Sequence, residues 1–151
     1  MPEITIETVA SQPIAAVRTH TAINDIMNAW KPAIYQVKAF LADRPDLTSS
    51  GRQVFFYHHP AQRAPAMDID FGIEVARAFE AEGDVKCVST PEGRVAVASH
   101  TGPLTSLPQT HMAIHQWCAA NGHAIGGFSW ETYTWGAGPD PVETIVRYAL
   151  R

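Results

Sequence analysis

An internal repeat limits what this chain can fold into more than any other feature. Ala16-Val17-Arg18-Thr19-His20-Thr21-Ala22 lies over Ala96-Val97-Ala98-Ser99-His100-Thr101-Gly102 at a constant offset of 80 residues, and four of the seven positions are identical. A duplication decides architecture more firmly than residue propensity, because both copies must bury equivalent faces. Each copy follows a short extended segment and a proline-containing turn: Ile4 to Val9 then Ser11-Gln12-Pro13, and Val85 to Thr90 then Pro91-Glu92-Gly93. Each half is therefore expected to open as a hairpin or near-hairpin.

After the shared block both copies turn to helical spacing. Ile23, Ile26, Met27, Trp30, Ile34, Val37 and Leu41 recur at steps of three and four, along one face of an amphipathic helix. Pro32 inside that run predicts a kink or a restart near Trp30. Leu104, Leu107, His111, Ile114, Trp117 and Cys118 form the matching stripe, with Pro108 in the first turn and Asn121-Gly122 as the stop. Two extended segments then close each half: Gln53 to Tyr57 and Asp68 to Val75, then Phe128 to Trp135 and Val142 to Leu150. Asp68 to Val75 alternates, with Ile69, Phe71, Ile73 and Val75 on one side, which predicts a half-buried strand. The fold class is α+β. Two antiparallel sheets, each with a helix on one face, are expected to be related by a pseudo-two-fold axis and to leave a central cleft for a ligand. The boundaries are 1–76 for the first module, 77–84 for a linker and 85–151 for the second, within a single domain over 1–151.

Composition removes several function classes. The 151 residues are 46% hydrophobic, enough for one sizeable core, and the net charge is −4 with no basic run, which argues against nucleic acid or an anionic membrane as partner. No apolar stretch approaches the ~20 residues of a membrane span, and Met1-Pro2-Glu3-Ile4-Thr5-Ile6 lacks the start of a signal peptide, so a cytoplasmic protein is expected. Cys87 and Cys118 stand far apart in no paired spacing, so both are read as reduced thiols, with neither a disulfide nor a zinc site.

No P-loop, Gly-x-Gly-x-x-Gly, Gly-x-Ser-x-Gly or Cys-x-x-Cys string is present, so no cofactor is expected and function has to come from a pocket. The segment Phe128-Ser129-Trp130-Glu131-Thr132-Tyr133-Thr134-Trp135 is the most informative. A strand sends alternate side chains to opposite faces, so Glu131, Tyr133 and Trp135 point the same way and Trp130 points to the core side. A carboxylate between aromatic faces suits an organic cation, each ring adding about 0.5–2 kcal/mol. The plainer alternative is a solvated strand glutamate between packing aromatics. His111 and His115 share a helix face, but neither the glutamate of a His-Glu-x-x-His motif nor a placed third ligand accompanies them, and no metal is expected. His20 and His100 mark equivalent strand ends where an imidazole satisfies free backbone groups. His58-His59-Pro60 reads as an exposed turn.

These residues also carry a resemblance. Arg94 to Pro103, the helix bearing Trp117, then Trp130-Glu131-Thr132-Tyr133 and Pro139-Asp140-Pro141 before the last strand together resemble the GyrI-like small-molecule-binding family, also found as the effector-binding domain of AraC- and MerR-type regulators. The likeness covers nearly the whole chain. It implies a tandem pair of strand-helix-strand-strand (SHS2-like) modules, with Glu131 as the acid at the bottom of an aromatic pocket and Tyr133 beside it. Leu104 stands where a tyrosine often follows Gly-Pro, and Tyr57-His58-His59-Pro60 replaces a Tyr-Asp-Asp-Pro-like strand end, so ligand identity does not carry over. With no helix-turn-helix in the sequence, a stand-alone module is expected.

Three functions follow. The first is capture of a hydrophobic, aromatic or cationic compound, with Glu131 as counter-ion and Tyr133, Trp135, Phe55, Tyr57 and Trp117 as ligand-binding residues. The second, implied by the resemblance, is hydrolysis of reactive cyclopropane-type, DNA-alkylating compounds, with Glu131 and Tyr133 as the catalytic residues. The third is inhibition of DNA gyrase as a protein partner, for which the fifteen dispersed acids offer no clustered DNA-like charge. A homo-oligomer is left open.

Overall fold

The extended segments become eight strands and the two stripes become two helices in the computed structural model, which describes residues 2–151. In chain order these are β1 (Ile4–Val9), β2 (Pro13–Thr21), α1 (Ile26–Ala42), β3 (Gln53–His58), β4 (Met67–Glu74), β5 (Val85–Ser89), β6 (Gly93–His100), α2 (Leu107–Ala120), β7 (Ile125–Thr134) and β8 (Glu143–Leu150). A single 3₁₀ turn leads into each helix, at Ile23–Asp25 and Leu104–Ser106. The α+β class and the order strand, strand, helix, strand, strand agree with the sequence in both halves.

The expected pair of separate sheets is instead one sheet. Its order is β1-β6-β8-β7-β3-β4-β2-β5, antiparallel throughout. β3 and β7 pair from Gln53 opposite Tyr133 to His58 opposite Phe128, which removes the two open edges that separate sheets would leave. Neither half opens with a hairpin. β1 pairs with β6 and β5 with β2, so each half sends its first strand across to the other.

That exchange forces the sheet to curl. β1 and β2 lie six places apart in the order, about 29 Å across a flat sheet, yet the connector from Val9 to Pro13 spans at most ~14 Å. The same holds for β5 and β6. The two connectors therefore meet: Ser11 Oγ donates to the Thr90 carbonyl at 2.7 Å, and the Gln12 amide donates to Thr90 Oγ1 at 3.0 Å. Inside the curl Ile14, Ala16, Val54, Phe56, Val95, Val97 and Trp130 form an apolar layer of their own.

Enclosure on that side corrects the expectation for β4. Ile69, Phe71 and Ile73 pack toward α1, but the opposite side is buried as well, and Asp70 is only 1% exposed. Arg18 pairs with Asp70 through both nitrogens of its fork, at 2.9 and 3.0 Å, and the His58 ring lies 2.6 Å away, so the buried charge is compensated. At Gly72 a Cβ would stand 2.5 Å from the Ala15 carbonyl oxygen, so only glycine lets β2 and β4 approach this closely.

Both helices lie on the other face. α1 covers β2 and β4, burying Ala33, Ile34, Val37 and Phe40, while α2 covers β6 and β8 through Leu107, Ala113, Ile114 and Cys118. Pro32 neither ends nor restarts α1, which runs unbroken from Ile26 to Ala42. The buried residues that follow Pro32 hold the helix together through the missing amide donor. α2 stops at Gly122, whose φ of +73° is left-handed, and the His123 amide closes the turn onto the Cys118 carbonyl at 2.9 Å. Phe79 in the 77–84 segment packs against Phe40 with the rings tilted and their centroids 5.0 Å apart. Both cysteines are free thiols, and Cys118 is buried. Among the described residues no helix is long and apolar enough to cross a membrane.

Candidate functional site

With α1 resting on β2 and β4 and α2 on β6 and β8, the central strands β3 and β7 lie between the helices, and a cavity of about 430 Å³ opens above them. Alternation aims Gln53, Phe55 and Tyr57 of β3, Ser129, Glu131 and Tyr133 of β7, and Tyr148 of β8 into it. The register aligns them in rows: Phe55 opposite Glu131, Tyr57 opposite Ser129, and Ser129 opposite Tyr148. The N-terminal ends of the two helices supply the sides, with Ile26, Met27 and Trp30 from one and Leu107, Pro108 and His111 from the other. Ile23 in the 3₁₀ turn and Met27 in the first turn of α1 are 56% and 69% exposed, because this end overhangs the mouth of the cavity instead of the sheet.

Glu131 lies at the floor, 4% exposed. A buried carboxylate is costly without partners, and three surround it. The hydroxyls of Tyr57 and Tyr133 both donate to Oε1, at 2.6 and 2.5 Å, and His111 Nε2 is 2.6 Å from Oε2. His111 Nδ1 lies in turn 2.6 Å from the Tyr148 hydroxyl. One neutral tautomer satisfies this chain: Nε2–H donates to Glu131 and Nδ1 accepts from Tyr148. Burial first, and the charge of Glu131 second, push the Tyr57 and Tyr133 phenols well above their ordinary range, and the same causes raise Tyr148. All three remain hydroxyl donors at any physiological pH.

The wall is aromatic. Phe55 meets Tyr133 edge-on at 5.0 Å and Phe71 at 4.8 Å, and Trp30 tilts over Phe55 at 6.0 Å. At the rim Trp135 lies over Tyr133 at 6.3 Å and donates its indole N–H to Gln53 Oε1 at 3.1 Å. His59 stacks on Tyr148 at 6.0 Å, with Nε2 2.6 Å from Ser129 Oγ, and burial pushes its imidazole pKa down.

Of the residues singled out in the sequence, Glu131, Tyr133, Trp135, Phe55 and Tyr57 come together in this one cavity, whereas Trp117 does not line it. Six residues beyond His111, Trp117 is turned about 120° round the helix, where it stacks on His123 at 5.4 Å. Trp130 packs on the opposite face of the sheet, 4% exposed. Sequence reasoning missed His111 as the partner of Glu131, having weighed it only beside His115, whose ring meets Tyr148 edge-on at 4.8 Å. The reading of His58-His59 as an exposed turn is also corrected, since His58 pairs with Asp70 and His59 lines the cavity. The signal was available, because His59 continues the period of two from Gln53 through Phe55 and Tyr57. His100 is buried and sits 3.1 Å from the Pro103 carbonyl, whereas the equivalent His20 is exposed and pairs with Asp68. Among the described residues no three His, Cys, Asp or Glu side chains converge as a metal site.

The fold is thus a curled antiparallel sheet with two helices on one face and an aromatic cavity with a buried acid between them. The chain belongs to the GyrI-like small molecule binding domain family, whose model matches residues 2–148. No curated protein sequence matches it. Among solved structures it is similar to the C-terminal domain of EcmrR, at 19% identity and a TM-score of 0.80 over 100% of this chain and 98% of that one. In the cryo-EM structure of the EcmrR–DNA complex the match has a TM-score of 0.80 at 17% identity, covering 99% of this chain, which spans 57% of the length of that protein. SAV2435 bound to tetraphenylphosphonium matches at 12% identity with a TM-score of 0.72, over 99% of this chain and 94% of that one. A hydrolase from Listeria innocua matches at 13% identity with a TM-score of 0.65, over 99% and 92%. At these identities the likeness is one of fold.

Proposed function

We propose that this chain captures hydrophobic, aromatic or cationic compounds in the cavity between its helices, with Glu131 as the counter-ion and Phe55, Tyr57, Tyr133 and Trp135 as the contacting rings. The observation that carries this reading is a carboxylate 4% exposed, held by tyrosine hydroxyls at the floor of an otherwise apolar cavity of about 430 Å³. A dry anion surrounded by π faces attracts a lipophilic cation through both charge and quadrupole. Tetraphenylphosphonium, the ligand of the structural relative SAV2435, is a probe of that class. The test is fluorescence titration, read through Trp135 and Trp30, of wild type and Glu131→Gln with tetraphenylphosphonium and with uncharged triphenylphosphine oxide. Glu131→Gln should weaken the cation by about tenfold or more, or ~1.4 kcal/mol, and leave the neutral compound nearly unchanged. Equal loss for both would remove the charge from the account.

The 2.6 Å contact of His111 with Glu131 favours a second reading, hydrolysis of reactive cyclopropane-type compounds. A carboxylate and an imidazole in hydrogen-bond contact can pass a proton between a water and a substrate atom, with Glu131 and Tyr133 against the substrate.

We also infer that 1–76 and 85–151 are tandem SHS2-like modules about an approximate two-fold axis, with 77–84 between them. The strand order supports this: read inward from either edge it gives the other half's first strand, then the second, fourth and third of one half. The matching 3₁₀ turns before α1 and α2 support it too.

A further inference from the structure

We propose that His111 is a removable counter-ion for Glu131, so that one cavity selects lipophilic cations when His111 is neutral and uncharged aromatic compounds when it is protonated. This rests on the capture reading above and assigns the ligand class that the site takes in each state. Among the described residues, His111 is the one basic side chain paired with Glu131, with Nε2 2.6 Å from Oε2. Among the described residues no lysine or arginine is paired with that carboxylate, so none of them permanently neutralises it.

Titratable groups face His111 from every element packed against it. From β3 and the turn after it come Tyr57 and His59, from β7 Glu131 and Tyr133, from β8 Tyr148, and from its own helix His115. Burial and the charge of Glu131 keep the three phenols protonated, and partial desolvation lowers the proton affinity of both neighbouring imidazoles. At the floor of the cavity the charge of Glu131 is therefore offset, or left open, by one proton on His111, the basic side chain in contact with it. Both states of His111 keep a partner at each ring nitrogen, Glu131 Oε2 at Nε2 and Tyr148 Oη at Nδ1, each 2.6 Å away. When Nδ1 gains a proton it donates to the Tyr148 oxygen. The His111 side chain is 22% exposed, which gives that proton a route to solvent. By linkage, a cation that binds beside Glu131 must expel the proton, and the proton must weaken the cation by the same factor.

The test is isothermal titration calorimetry at about pH 6 and about pH 8, each in two buffers of different ionisation enthalpy, with tetraphenylphosphonium and triphenylphosphine oxide as probes. One proton competing with one cation changes affinity by up to ~10-fold per pH unit. Wild type should bind tetraphenylphosphonium several-fold more weakly at the lower pH, with proton release visible as a buffer-dependent enthalpy, while triphenylphosphine oxide stays flat. His111→Gln keeps an N–H toward Glu131 but cannot titrate, and its pH dependence for the cation should fall below about twofold. A wild-type pH slope that survives in His111→Gln, or cation binding without proton release, would overturn the inference while leaving capture intact. No binding of either probe at either pH would overturn both. If His111→Gln does not fold, the buffer dependence of the wild-type enthalpy decides alone.

Discussion

Phe55 on β3 stands directly opposite Glu131 on β7, and Val146 on β8 flanks the same glutamate from the other side. The acid therefore has apolar neighbours along the sheet in both directions, and its hydrogen bonds come from tyrosines two residues away in register and from α2. The pairing that joins the two halves into one sheet is also the pairing that lines the cavity. If the cavity captures ligand as proposed, stability and binding share the same residues, and substitutions there should move both.

The two tyrosines on Glu131 Oε1 should be energetically coupled. A hydrogen bond to a charged group contributes about 1.5–3 kcal/mol, and Tyr57→Phe or Tyr133→Phe alone should lower unfolding free energy by that order. After one change the remaining hydroxyl still solvates the same oxygen. The double variant removes both, so its loss should exceed the sum of the singles. Urea denaturation of the four proteins in the cycle measures the coupling, and strict additivity would mean that the hydroxyls act independently.

Gly72 is set by close approach, with the site of its missing Cβ 2.5 Å from the Ala15 oxygen and 2.9 Å from Ala16 Cβ. Because the first of these contacts is backbone, Gly72→Ala must push β2 and β4 apart. Overpacking costs about 1–3 kcal/mol, and at ~2–4 °C per kcal/mol the Tm should fall by several degrees in a thermal scan. Binding should change little, since Gly72 faces away from the cavity.

The sequence disclosed the elements and half of the site for a physical reason. Periodicity is local, so the strands, the helices and the shared direction of Glu131, Tyr133 and Trp135 could be read from spacing. Pairing is not local. Nothing in Ile4 to Val9 or Val85 to Ser89 says that each strand crosses to the other half, and without that exchange the curl, the burial of Asp70 and the single sheet could not be inferred. His111 was hidden for the same reason: its partner is 20 residues away on another element. Trp117 was misplaced by reading an apolar helix stripe as one face, although α2 divides it between the cavity and the helix's outer edge.

Acidification should destabilise the protein through two partly desolvated imidazoles. Burial lowers the pKa of His59 and His115 below the ordinary 6.5 in the folded state. The unfolded chain therefore binds more protons as pH falls, and stability rises with pH across that window. Above about pH 7 both histidines are neutral in either state and contribute no slope. As pH falls through 6.5 toward the depressed folded values, stability should drop progressively, and His59→Gln should flatten part of the decline. Tm measured between pH 5 and 8 in His111→Gln, where the pair with Glu131 does not titrate, checks the direction; a Tm that rises on acidification there would contradict it.

Glu131→Asp separates capture from turnover, because the two functions need different things from one carboxylate. Capture needs negative charge at the floor of the cavity. Asp retains the charge and withdraws it by one methylene, and a Coulomb interaction changes gradually with distance. Affinity for tetraphenylphosphonium should therefore stay within about tenfold of wild type. Hydrolysis needs a proton acceptor within ~2.6–3.2 Å of a water or substrate atom, and a misplacement of about 1 Å can cost ~10²-fold in rate. Shortening the side chain also draws the carboxylate away from Tyr57, Tyr133 and His111, so the acid–base pair would be broken while the charge remains. Both proteins would be incubated with tetraphenylphosphonium and with a cyclopropane-bearing electrophile, and binding and depletion followed by liquid chromatography. The expected outcome is stoichiometric capture by both proteins with no depletion beyond one equivalent. Catalytic depletion of the electrophile by wild type, lost in Glu131→Asp while cation binding persists, would instead make the Glu131–His111 pair the working part of a hydrolase.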